Sequence, residues 1–179
     1  MKQLLLIISL VLCTSVSSPR SYFTPPCIAE DNGGTVIAEL DYIELGFTML
    51  LQLEGFTPKR KHDVNADRYG YGTVATGETI SEPEARRRAR DRYLREVGKL
   101  LELYPYLTDQ QLAALASARY NLGSFGPRLR RAIRSYNSCQ IADALALYVK
   151  SAGEYSRGVD NRRTKEISFL LDKNPFHAI

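Results

Sequence analysis

The sequence predicts an α+β fold that is mainly helical, and two observations carry that expectation. Beyond Val36, apolar residues recur at helical spacing through most of the chain, with glycines, prolines and capping residues marking off the segments. One stretch, Arg60 to Thr76, breaks the pattern. It is rich in Gly, Tyr, Asp and Asn and suits a small antiparallel sheet or hairpin. The 179 residues fit one domain plus a targeting segment, long enough to bury a sizeable core.

At 44% hydrophobic and 25% charged, the composition is that of a soluble globular protein. A formal charge of +4 and a pI of about 9.0 suit anionic partners such as cell-wall polymers, lipid head groups or nucleic acid. Surplus arginine that merely keeps the chain soluble explains the same balance. His62 and His177 are too few and too isolated for a metal site.

Residues 1–18 read as a secretory signal: Lys2 supplies the positive start, Leu4 to Leu12 is apolar, and the run after Cys13 is small and polar. The apolar run is too short for a membrane span, which takes roughly 20 residues. Export is therefore expected, with no membrane contact beyond the signal. Residues 19–40 hold Pro19, Pro25, Pro26, Gly33 and Gly34 without periodicity, as a linker or arm does. Once the signal is removed, Cys27 and Cys139 are the two cysteines left. In an exported chain that pair reads as a disulfide, with two unpaired thiols as the alternative.

Leu45, Phe47, Met49, Leu50 and Leu53 give the segment from Val36 to Leu53 a helical recurrence. Glu54 follows and Gly55 stops the helix. After the Gly-rich stretch, Ser81-Glu-Pro-Glu84 opens a helix from Glu82 to about Leu103. Ser81 is placed to cap it, Pro83 sits in its first turn, and Glu84 holds the reciprocal capping-box position. Ala85, Ala89, Tyr93 and Val97 repeat on one face of this helix, and Arg86, Arg87, Arg88, Arg90, Arg92 and Arg95 fill the other. That face attracts an anion or is simply solvated beside Glu and Asp partners. Thr108 and Gln111 form a second capping box for a helix that Gly123 and Gly126 end. Pro127 starts a short basic helix to about Tyr136, Asn137 and Gln140 open another carrying Ile141, Leu145 and Val149, and a last helix runs from about Val159 to Leu171. Helices this short and closely linked pack as one body.

Glu54 and Asp63 stand nine positions apart, one at a helix end against apolar residues and the other in a polar run. Two carboxyls in unlike surroundings serve glycoside hydrolysis, which needs a protonated acid and an ionised base. Glu54-Gly55-Phe56, Asp63 and Gly70-Tyr71-Gly72 resemble the catalytic region of the phage-type lysozymes, glycoside hydrolase family 24. Leu107 to Leu115, Tyr120-Asn121-Leu-Gly123 and Asn161-Arg162-Arg163 continue the resemblance in order, over about Asp41 to Leu171.

The resemblance implies a lysozyme-like catalytic domain over residues 41–174, with a small sheet lobe and a larger helical lobe joined by the long helix from Glu82. It implies cleavage of the bond between N-acetylmuramic acid and N-acetylglucosamine by a monomer that needs no cofactor or metal. The partner is then the peptidoglycan glycan strand and not nucleic acid. Glu54 is the general acid, and Asp63 activates water on the opposite face of the sugar or stabilises the developing cation. Arg162 pairs with Glu54, and Asn121 borders the cleft and binds an acetamido group, or is a helix-end polar residue. With no Trp among the aromatic residues, Tyr71 or Tyr120 has to serve as a sugar platform. The pattern departs from the family at Arg68, where a threonine is usual, and at Thr73, where a histidine is usual. An arginine at position 68 suits Asp63 or a muramoyl carboxylate, since its fork matches a carboxylate. Asp67 is a rival for the base, although a turn residue is the preferred reading. A wall-binding module that has lost hydrolysis is the competing function, and retention of both Glu54 and Asp63 favours the enzyme.

Overall fold

Asp41 starts the first helix. Its Oδ1 accepts hydrogen bonds from the N–H groups of Ile43 and Glu44 at 3.0 and 3.1 Å, which satisfies two donors of the opening turn. In this computed structural model the described residues are 41–62 and 66–171. The expected signal and arm, Cys27 and Asp63 lie outside them, and Cys139 is exposed, with no disulfide partner among the described residues.

Helix α1 (Tyr42–Glu54) leads into a three-stranded antiparallel sheet of β1 (Thr57–Lys61), β2 (Arg68–Gly70) and β3 (Thr73–Val74). Thr57 faces Gly70 and Lys61 faces Arg68, with an irregularity between them, and Tyr69 faces Thr73. Then come α2 (Glu82–Leu103), α3 (Asp109–Leu122), α4 (Pro127–Ile133) and α5 (Ser138–Leu145). A hairpin of β4 (Lys150–Ser151) and β5 (Glu154–Tyr155) precedes α6 (Arg157–Leu171). The architecture is the expected mainly helical α+β fold, lysozyme-like, in which α2 packs against the sheet strands β2 and β3 and also against α3.

Helix α3 is the centre of the core. Residues Gln111 to Ala118 are buried without interruption, because α1, α2 and α6 all pack against it. A helix enclosed on every side needs no amphipathic pattern. Its start is the capping box read from the sequence: Gln111 N–H donates to Thr108 Oγ1 at 3.2 Å and Thr108 N–H to Gln111 Oε1 at 3.0 Å. The Gln111 amide also donates to Tyr136 O and Ser138 Oγ, each at 3.0 Å, and so ties α3 to the junction of α4 and α5.

The box expected at Ser81 does not form, and Ser81 makes no side-chain cap. Glu84 is occupied by Arg87 and Arg88, at 2.8 and 2.7 Å, and does not reach back. Charge-assisted bonds to guanidinium are stronger than a neutral cap, which explains the preference. Three boundaries also differ. Helix α4 stops at Ile133, α5 stops at Leu145 before Val149, and α6 starts at Arg157. The last two changes make room for the β4–β5 hairpin, whose turn places Ala152 and Gly153 at positive φ.

Gly46 sets the spacing between α1 and its neighbours. A Cβ there would lie 2.6 Å from Tyr93 Oη and 2.7 Å from Ala113 Cβ. Gly46→Ala is therefore expected to overpack the junction of α1, α2 and α3 and to destabilise the fold by about 1–3 kcal/mol. Chemical denaturation would measure it, and an unchanged midpoint would show that the junction has room.

Candidate active site

Glu54 is the last residue of α1, and Gly55 (φ 66°) turns the chain away behind it. A non-glycine residue is strained at that φ, so the helix stop is fixed by the sequence. The Glu54 carboxyl is held from the far end of the domain, with Arg162 Nη2 donating to its Oε1 at 2.6 Å. Both side chains are largely shielded, at 10% exposure for Arg162 and 15% for Glu54. The expected pairing is present.

The Gly70-Tyr71-Gly72 turn brings main chain against Glu54. A Cβ on Gly72 (φ 72°) would lie 2.8 Å from Glu54 Oε2, so only glycine allows that approach. Glu54 and Gly72 line a cleft of about 220 Å³ together with Thr57, Lys61, His62 and Arg68. Lys61 and His62 are exposed at its rim. Arg68 reaches the cleft from β2 and donates through Nη1 to the carbonyl of Gly72 at 2.9 Å.

Other expected site residues fall elsewhere. Tyr71 is 6% exposed and does not line the cleft. Its hydroxyl donates to Glu82 Oε1 at 2.9 Å, and its ring packs on Phe56. Tyr120 is buried too, donating to Tyr71 O at 2.7 Å beneath the Arg92 guanidinium, 3.8 Å from its ring centroid. Both rings are spent on joining the sheet to α3, so neither offers the sugar platform that the absence of Trp suggested. Asn121 is exposed near the end of α3 but does not line the cleft, and its Oδ1 accepts from Arg163 Nη2 at 3.1 Å. Asp67, directly before β2, pairs with His62 Nδ1 at 2.9 Å and with Arg60 Nε at 3.4 Å.

Sequence reasoning missed Glu166. It has no exposed surface, accepts from Ser117 Oγ at 2.8 Å, and lies 3.6 Å from Arg162 Nε. Arg163 Nε stands 3.1 Å from its other oxygen as an ion pair without hydrogen-bond alignment. Arg162 thus stands between the carboxyl in the cleft and a second one in the core. The signal was available, since Glu166 stands four positions after Arg162 and three after Arg163, the spacings at which side chains on a helix meet.

Burial pushes the Glu166 carboxyl up from 4.5 to about 7, against the pull of Arg163 and Arg162. Between those values the folded chain keeps a proton that the unfolded chain has lost, so stability falls as pH rises from about 4.5 to about 7. Glu166→Gln is expected to remove that decline, as read from thermal midpoints across the window. A decline of equal slope in the variant would assign it to another group.

A family model described as phage lysozyme matches residues 51–166. A search of curated protein sequences gives no match. Among solved structures, the chain is similar to an endolysin from the Escherichia coli O157:H7 phage FAHEc1. The identity is 21% and the TM-score 0.64, over 76% of this chain and 97% of that one. It is also similar to the muramidase domain of SpmX from Asticaccaulis excentricus, at 20% identity and a TM-score of 0.62, over 71% of this chain and 95% of that one. These structural likenesses speak for the fold. The family match spans more than half of the chain and includes Glu54, Arg162 and Glu166, and on that ground the chain belongs to the phage lysozyme family.

Proposed function

We infer that the chain hydrolyses peptidoglycan at the β-1,4 bond between N-acetylmuramic acid and N-acetylglucosamine, with Glu54 as the proton donor. The observation that carries this is the placement of Glu54: at a helix end, on a cleft, with one oxygen fixed by Arg162 at 2.6 Å and the other towards Gly72. A general acid needs that combination of shielding and fixed direction. Glu54 gives its proton to the glycosidic oxygen as the bond to the anomeric carbon breaks. Water attacks that carbon from the opposite face and loses its proton to a carboxylate base.

Asp63 is the proposed base, assigned from its position in the sequence. That role makes the reaction inverting, and inverting sites in general hold their two carboxyls about 6.5–9.5 Å apart to admit water. Arg162 orients Glu54, and Arg68 on the cleft wall suits the carboxylate of a muramoyl lactyl group. The reading includes export after removal of residues 1–18, action as a monomer, and a bridge between Cys27 and Cys139. The exposure of Cys139 supports the last point, because a thiol at the surface of α5 is accessible to a partner.

Two measurements check the reading. Release of reducing ends from purified peptidoglycan is expected from the native chain, with Glu54→Gln slower by about 10²–10⁴-fold. Glutamine keeps an acceptor for Arg162, so a folded but inactive variant is the expected product. Undiminished cleavage by the variant would exclude Glu54 as the acid, and wall binding without cleavage by the native chain would leave a binding module. For the bridge, the exported chain is expected to gain two thiol hydrogens in mass on reduction, and no gain would mean free thiols.

A further inference from the structure

We propose that Glu166 is a positioning residue for the reaction: from the core it holds the Arg162 guanidinium in the place from which Arg162 directs the Glu54 carboxyl. This deepens the muramidase reading and rests on it. Arg162 makes one hydrogen bond among the described residues, from Nη2 to Glu54 Oε1 at 2.6 Å. Its Nε has no hydrogen-bond partner among them and faces Glu166 Oε1 at 3.6 Å. An arginine side chain is long and rich in rotamers, so one bond at its tip does not fix the direction in which it points. A second anchor, at the stem end of the guanidinium, does.

Glu166 is itself held. It has no exposed surface, and two residues fix its carboxyl. Ser117 Oγ donates to Oε1 from α3 at 2.8 Å, and Arg163 reaches both oxygens, through Nη2 to Oε1 at 3.4 Å and with Nε 3.1 Å from Oε2. Ser117 lies on the helix against which both α1 and α6 pack. The line of contact therefore runs from α3 through Glu166 and Arg162 to Glu54. Arg163 does not share that task, because its Nη2 donates to Asn121 Oδ1 at 3.1 Å.

The anchor depends on charge, since an ionised Glu166 attracts Arg162 and a protonated one does not. The charged groups that face it are Arg163 and Arg162 on its own helix and Glu54 at the end of α1. From α3 it meets the Ser117 hydroxyl, while Tyr120 turns its own hydroxyl to Tyr71 O. The buried residues of α5 are Ile141, Ala142, Ala144 and Leu145, none of which titrates, and Lys150 of β4 is exposed. With its carboxyl pushed up to about 7 by burial, the anchor is present above that pH and released below it.

The experiment follows kcat and KM on purified peptidoglycan for the full chain and for Glu166→Gln, which keeps the size of the side chain and lacks its charge. Above about pH 8 the variant is expected to lose roughly tenfold in kcat at unchanged KM, because a misdirected acid slows the chemical step without weakening binding. At about pH 5 the two chains are expected to agree, so the ratio of native to variant kcat rises through about pH 7, while the titrations of Glu54 and Asp63 are common to both. A ratio that stays flat is the mark of a merely structural role and overturns the proposal. In an Arg162→Gln chain the further change Glu166→Gln is expected to leave kcat where it was, and two independent losses that multiply would overturn it as well. Exchange of the Arg162 Nε proton with water, read by nitrogen NMR, needs no cleavage and so separates this from failure of the muramidase reading. It is expected to quicken in Glu166→Gln, while that of Arg119, paired with Glu96 at 2.6 Å, stays as it is. Unchanged exchange at Arg162 overturns the proposal even in a chain that cleaves. If Glu166→Gln does not fold, the native chain gives the same reading. Its Arg162 rate relative to Arg119 is expected to rise as pH falls from about 8 to about 5, and a constant ratio overturns the proposal.

Discussion

The ion pair between Glu54 and Arg162 is the constraint to which the rest of the domain answers. It joins the end of the first helix to the last helix, across 108 positions of sequence. Neither side chain could take its place alone. Asp41 and Gly55 fix where α1 begins and ends, and α3 lies beneath as the wall on which both α1 and α6 pack. A shielded ion pair adds little net stability, because desolvating both charges offsets their attraction. Its value here is directional: one carboxyl oxygen is held, and the other is turned to the wall of the cleft.

Behind that pair lies an unusual concentration of charge. Arg162, Arg163 and Glu166 are all buried on one side of α6, and Ser117 supplies a single hydroxyl to them from α3. Several of their polar atoms, Arg163 Nη1 among them, have no hydrogen-bond partner among the described residues. The charge on Glu54 adds to the upward push that burial gives the Glu166 carboxyl.

The parts of this arrangement that were legible in the sequence are those set by neighbouring residues. Thr108 with Gln111 and Glu54 with Gly55 are contacts within a few positions, and the sequence states them directly. The Arg162 pairing was legible only by resemblance, because nothing local joins positions 54 and 162. What failed was competition between partners. Glu84 had two claimants, and the arginines outbid Ser81. Tyr71 and Tyr120 look like ligand-binding rings by type, yet burial and a hydrogen bond between them assign them to the interior. Glu166 was passed over because a charged residue on a terminal helix is ordinarily solvated. The short β4–β5 hairpin was missed because each of its strands has two residues, too few for an alternating pattern.

The sheet is small and its first strand, Thr-Pro-Lys-Arg-Lys, is exposed along its whole length. The outer side of that strand nevertheless has main-chain partners: Arg60 N–H donates to Glu78 O and Ile80 N–H to Pro58 O, each at 2.9 Å. The loop before α2 thus covers what would be an open ladder. The opposite edge, β3, has only two residues. A second chain approaching either side finds too few free donors and acceptors to extend the sheet, and on the first side it meets three basic side chains in a row. The sheet that borders the cleft thus has its longer edge already paired within the chain.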